Sequence, residues 1–189
     1  MSMLNRAEMF NRRAASNKSM ANEIIKNIKI KRGDVIVDIG SGGGYYSMRF
    51  AAETGLNGKV YALDVNEQFL DYVNQKATEN GFMNISTILI NDKVYGLPKK
   101  SCDLVFLRNV YHHINNPETY FKDLKGFLKP GGRIVIIDYK KTEGFNFINL
   151  LRHHVEEESI ITCLTKSGYK HERRINFLPQ QSFNIFKNI

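Results

Sequence analysis

The sequence predicts a three-layer α/β/α fold: a seven-stranded, mostly parallel sheet with helices on both faces and an antiparallel strand near one edge. Three observations carry that prediction. Short apolar runs alternate with helix-patterned stretches between residues 35 and 138, the βαβα order that a parallel sheet requires. A glycine cluster lies where the first run gives way to a helix. Beyond residue 138 the alternation stops, and two strand-like runs follow one another across a short loop holding Leu178-Pro179-Gln180, as antiparallel neighbours do.

Asn17 to Ile30 places Met20, Ile24, Ile25 and Ile28 at helical spacing, and Lys31-Arg32-Gly33-Asp34 ends the pattern. Val35 to Ile39 is a β-branched run suited to burial on both faces, and helical character resumes from Tyr45 to Glu53. Then come strand Lys59 to Leu63, helix Glu67 to Asn80, strand Ile85 to Ile90, strand Leu104 to Leu107, helix Pro117 to Leu128 and strand Arg133 to Asp138. Asn116-Pro117-Glu118 reads as a helix start with Asn as the cap, and Lys129-Pro130-Gly131-Gly132 as the stop. Helices are expected at Phe145 to Leu151 and Glu156 to Lys166, and the last two strands at Tyr169 to Phe177 and Ser182 to Phe186.

At 189 residues the chain suits one domain, residues 1–189, in which 1–30 forms a helical extension packing on or over the ligand site through Leu4, Met9 and Phe10. Its longest apolar runs are far too short for a membrane span, and the N-terminus has no apolar core of a secretory signal. Cys102 and Cys163 stand apart from one another and from histidine clusters, so neither a disulfide framework nor a metal site is expected, and a cytoplasmic location fits. The net charge of +8 is scattered along the chain; it fits a basic surface better than a nucleic-acid tract.

The chemistry concentrates in Asp38-Ile39-Gly40-Ser41-Gly42-Gly43-Gly44-Tyr45. Glycines at a strand-to-helix turn admit a ligand close to the backbone, and a helix N-terminus offers amide donors. The spacing does not fit a dinucleotide fingerprint, because Tyr45 occupies its last glycine position. Asp38, two residues before Gly40, can accept hydrogen bonds from a cationic amino group or structure the loop that holds it.

With Asp38, Gly40, Gly42 and Gly44 the segment matches the pattern D/E-x-G-x-G-x-G, and the sequence here resembles the class I S-adenosylmethionine (SAM) dependent methyltransferases. The resemblance continues through Asp64, Asn91-Asp92, Asp103-Leu104-Val105-Phe106 and Lys129-Pro130-Gly131-Gly132, over roughly residues 17 to 189. It implies a Rossmann-like sheet, SAM as cofactor and S-adenosylhomocysteine as product. It implies that Asp64 receives the ribose hydroxyls, that Val65 lines the adenine ring and that Asn91-Asp92 meets the adenine amino group. The bend around Ser41 would hold the methionine portion, with Tyr45 shielding the sulfonium. The stretch Leu107 to His113 would bring Arg108 and Asn109 to the cofactor and its side chains to the acceptor.

Tyr111 and His112 are the candidate catalytic residues; of the two histidines, His113 is expected to be packed and hydrogen-bonded inside, and His112 to lie nearer the pocket. Methyl transfer needs a base only for some acceptors. The expected acceptor is a small molecule. Nucleic acid or protein as acceptor, and a SAM-binding scaffold without catalysis, are the alternatives. Monomer and homodimer both fit.

Overall fold

The computed structural model describes residues 3–91, 94, 96–140 and 154–189, with Met3 and Leu4 in backbone only. The chain divides into two compact units, Met1–Asn91 and Asp92–Ile189.

The first unit begins with helix α1 (Met3–Ala15), a short 3-10 turn at Asn17–Ser19 and helix α2 (Ala21–Ile28). The helix expected from Asn17 therefore starts later. Met20 takes a left-handed conformation (φ 51°), which separates the turn from α2. α2 buries Ala21, Ile24, Ile25 and Ile28, one face at helical spacing. Strands β1 (Val35–Ile39), β2 (Lys59–Asp64) and β3 (Ile85–Leu89) follow, all parallel in the order β3-β2-β1. Helices α3 (Tyr45–Thr54) and α4 (Glu67–Glu79) make the crossovers. Asn66 caps α4, its side chain accepting from the Gln68 amide at 3.0 Å. α1 packs on α3 and α4, where Ala7, Phe69 and Tyr72 are buried together and Phe10 meets Phe69 edge to face at 5.6 Å.

The second unit contains β4 (Cys102–Arg108), α5 (Pro117–Leu124), β5 (Leu128–Tyr139), α6 (Glu157–Lys166), β6 (Tyr169–Arg174) and β7 (Gln181–Asn188). Its strands run β4-β5-β7-β6; β4 and β5 are parallel, and β7 is antiparallel to both neighbours, one place in from the edge as the sequence predicts. Leu104 to Leu107 and Ile134 to Ile137 are buried throughout, which explains why these strands read as continuous apolar runs. α5 is shorter than expected. It ends at Leu124, and Lys129-Pro130-Gly131-Gly132 forms the entry to β5 instead of a helix stop, with a register shift opposite Cys102 and Leu104. Asn116 precedes α5 at φ 49° without a side-chain cap, a backbone state asparagine tolerates, while Pro117 keeps its expected place in the first turn. The helix expected at 145–151 lies outside the described residues.

Candidate functional site

In the first unit, β1 delivers Asp38 and the glycine loop, and β2 delivers Asp64. Gly40, Gly42 and Gly44 all take positive φ (69°, 52° and 79°), which side chains disfavour, so the alternate glycines are required by the turn itself. A side chain at Gly44 would also strike Val73 of α4, 2.7 Å from where its Cβ would lie.

Most of the amide donors expected at the helix start are already in use. The Gly40 and Ser41 amides both donate to the Leu63 carbonyl (2.8 and 3.0 Å), and the Gly44 amide donates to the Ser41 carbonyl (2.8 Å). The Gly42 amide donates to Asp64 Oδ2 (2.8 Å), and the Tyr45 amide to Asn11 Oδ1 (3.1 Å). The loop is thus laced to β2 and α1. Ser41 Oγ is buried with no hydrogen-bond partner, and it can both donate and accept. Asp64 takes the Gly42 amide on one oxygen and the Asn66 amide on the other (3.0 Å), and the Val65 amide also bonds to it, which leaves the carboxylate room for a further donor.

Asp38 has a second task that its spacing only partly foretold. Its carboxylate accepts Ser47 Oγ at 2.6 Å and the Ser47 amide, and so caps the first turn of α3 from β1. At 3% exposure it is poorly hydrated, and burial, reinforced by repulsion from Asp64, pushes its pKa up to about 7. Burial raises Asp64 as well, against the amides that favour its charge. Just past Asp64, Val65 is 69% exposed, an apolar side chain presented at the carboxyl end of the strand. Tyr45 is half-buried, edge to face with Tyr46, and Arg49 reaches its hydroxyl at 3.2 Å. Asn91 is exposed; Asp92 lies outside the described residues.

In the second unit, Arg108 ends β4 and Asn109 follows with φ 58°, its amide donating to the Ile137 carbonyl at 2.8 Å. Gln181, at the start of β7, joins the two: Arg108 Nη2 donates to Gln181 Oε1 at 3.0 Å, and the Gln181 amide group donates to Asn109 Oδ1. Next comes a 3-10 turn, Tyr111–His113, and it reverses the expected histidine roles. His112 is the packed one, with Nδ1 2.8 Å from Asp138 Oδ1, its amide donating to Asp138 Oδ2 (3.3 Å), and its side chain only 6% exposed. His113 is exposed. Three residues per turn send successive side chains in three directions, so Tyr111 goes to the core and His112 turns back to β5. Tyr111 stacks on Phe121 (5.8 Å, 16°), and burial and a hydrogen bond with Cys163 raise its pKa strongly. These surroundings suit a packing tyrosine and oppose a role as base.

Sequence reasoning missed Asp138, Gln181 and Asn11. Asp138 carried a signal, an acid closing the buried run Ile134 to Ile137. So did the need for Asn11, because Gly44 at the start of α3 has no side chain with which to cap it.

Residues 30–177 match the family model described as a methyltransferase domain. The chain is similar to the ubiquinone/menaquinone biosynthesis C-methyltransferase UbiE of Hydrogenovibrio crunogenus, 26% identical over 113 residues, or 59% of this chain and 44% of that one. It is equally similar to the protein of that name from Francisella tularensis subsp. novicida, again 26% over 113 residues and 45% of that protein. The chain thus spans under half the length of these curated relatives. A solved SAM-dependent methyltransferase from Aquifex aeolicus superposes with a TM-score of 0.84 at 21% identity, covering 100% of both chains. The [4+2]-cyclase SpnF superposes with a TM-score of 0.76 at 11% identity over 90% of this chain and 80% of that one. At these identities the structural likeness establishes the fold, and it bears out the Rossmann-like α/β class.

Proposed function

This chain belongs to the methyltransferase-domain family, whose model spans most of its length, and from that premise we propose that it transfers a methyl group from SAM to a small-molecule acceptor, leaving S-adenosylhomocysteine. The carrying observation is the state of the glycine loop. Five of its amides are engaged by the chain itself, while the carboxylates of Asp38 and Asp64 are acceptors beside it and Ser41 Oγ has no partner. A pyrophosphate needs several backbone donors, and most of those in the loop are spent. An amino-acid nucleoside brings an ammonium and ribose hydroxyls, which need acceptors.

In this reading Asp64 receives the ribose hydroxyls on its two oxygens, and Val65 covers one adenine face. Ser41, with Gly40, Gly42 and Gly44, borders the methionine portion, and Asp38 answers its ammonium; Tyr45 lies at the sulfonium side. Asn91 is assigned to the adenine amino group; in the second unit Gln181 holds Arg108 and Asn109 together. The cofactor supplies an electrophilic methyl carbon on sulfur, and alignment accounts for much of the acceleration. His112, oriented by Asp138, is the candidate base for acceptors that must lose a proton. The names of the curated relatives favour a small organic acceptor. We assign the whole chain to one functional domain because a single family model crosses the boundary between its two units. No described helix is long and apolar enough to cross a membrane; the free Cys102 and Cys163 suit a reducing cytoplasm.

Calorimetric titration with S-adenosylhomocysteine tests the reading. Asp64→Ala removes both ribose acceptors and should weaken binding at least tenfold, on the order of what two charge-assisted hydrogen bonds contribute. Unchanged affinity would remove the ribose assignment. The cyclase on the same fold motivates one alternative, a SAM-binding protein that transfers no methyl group. Tight cofactor binding with no label passed from methyl-labelled SAM to a metabolite extract would favour it.

A further inference from the structure

Helix α3 begins at a glycine, so its start must be capped from elsewhere, and the structure uses two borrowed side chains. Asp38 of β1 holds Ser47, and Asn11 of α1 holds the turn before it. Asn11 Nδ2 donates to the Gly43 carbonyl at 2.7 Å, while Asn11 Oδ1 accepts the Tyr45 amide at 3.1 Å. One amide group thus bridges both ends of the Gly43-Gly44-Tyr45 segment. The fit extends around it: a Cβ on Gly43 would collide with the Ala7 carbonyl and with Asn11, and Gly42 faces the Phe10 ring, 3.4 Å from where its Cβ would lie. Phe10 in turn rests on Phe69, in the cluster that anchors α1 to α4.

We propose that Asn11 is a positioning residue of the cofactor site, clamping the glycine loop so that α1 sets the affinity for the adenosyl ligand. The inference rests on the reading that this loop holds the methionine portion of SAM. The loop is rich in glycine and carries three positive-φ residues, so without an external tie it samples many conformations, and ordering it would cost binding free energy. Asn11 fixes it beforehand at the two peptide groups nearest the helix start. The same loop conformation sends the Gly42 amide to Asp64, the expected ribose acceptor, and leaves the neighbouring Ser41 Oγ without a partner.

The test uses the full chain with S-adenosylhomocysteine as the probe, with amide hydrogen exchange over residues 40–47 read in the absence of ligand. Asn11→Ala should weaken binding at least tenfold and speed exchange in that segment, with the thermal midpoint within a few degrees of wild type. Asn11→Asp, which keeps the acceptor for the Tyr45 amide and loses the donor to Gly43, should fall between the two. Affinity within twofold of wild type in both variants, or tighter binding by Asn11→Ala, would overturn the proposal; so would unchanged exchange. If Asn11→Ala does not fold, Asn11→Asp decides by the same criteria. If the wild type itself fails to bind while exchange still rises in Asn11→Ala, the cofactor reading is what fails, and the clamp on the loop stands.

Discussion

Replacing Asp38 with asparagine isolates the electrostatic cost of placing a carboxylate in the first unit's core. In the folded chain its pKa is pushed up to about 7 from an ordinary 3.8, chiefly by burial. Between those two values the unfolded chain is ionised and the folded chain is protonated, so this residue makes stability fall as pH rises; above pH 7 the loss is complete. Three pH units at about 1.4 kcal/mol each amount to about 4 kcal/mol. The substituted amide cannot ionise, and its side-chain oxygen can still accept from Ser47. The Asp38→Asn variant should therefore match the wild type near pH 4 and gain on it by about 1.4 kcal/mol per unit up to pH 7, with no further gain beyond. Urea unfolding of both proteins at pH 5, 6, 7 and 8 reads the difference directly. A stability difference independent of pH over that range would refute the reasoning, because it would mean that Asp38 ionises alike in both states.

The same residue links ligand and proton: an ammonium favours ionised Asp38, so S-adenosylhomocysteine should bind more tightly at pH 8 than at pH 6, a difference calorimetry would detect and Asp38→Asn should abolish. Gly43→Ala places a methyl group against Ala7 and Asn11 and should cost about 1–3 kcal/mol in urea unfolding, the usual penalty of overpacking; a neutral effect would show that α1 moves away easily. His112→Ala should slow label transfer from methyl-labelled SAM about 100-fold or more for an acceptor that loses a proton, while S-adenosylhomocysteine affinity stays put. Equal transfer rates in the variant would remove His112 as base.

Much of this architecture is legible in the sequence, for stated physical reasons. Ile134 to Ile137 and Ile36 to Val37 are buried, so their apolar, β-branched runs read as interior strands of the sheet. Asp38, the alternate glycines and Asp64 are close in sequence to the strand ends that present them, so their places can be read from spacing, whereas the bonds of Asp64 to the Gly42 amide and of Asp38 to Ser47 cannot. Elsewhere, contacts distant in sequence decide. Nothing local announces that Asn11, 34 residues before Tyr45, supplies the cap of α3, or that Gln181 bridges Arg108 and Asn109 from β7. The exchange of roles between His112 and His113 follows from a 3-10 turn, whose period a short polar stretch does not encode. Lys129-Pro130-Gly131-Gly132 looks like a helix stop because proline and glycine end helices, yet pairing across from Cys102 draws it into β5.

A crystal structure of the chain with S-adenosylhomocysteine would judge the central claim most directly. The account predicts both ribose hydroxyls on the Asp64 carboxylate, the adenine against Val65, and the amino-acid tail along Ser41 and Gly42 toward Asp38, with Asn11 still bonded to Gly43 and Tyr45. A nucleoside seated away from Asp64, or a loop that turns its amides from Leu63 and Asn11 toward the ligand, would contradict it.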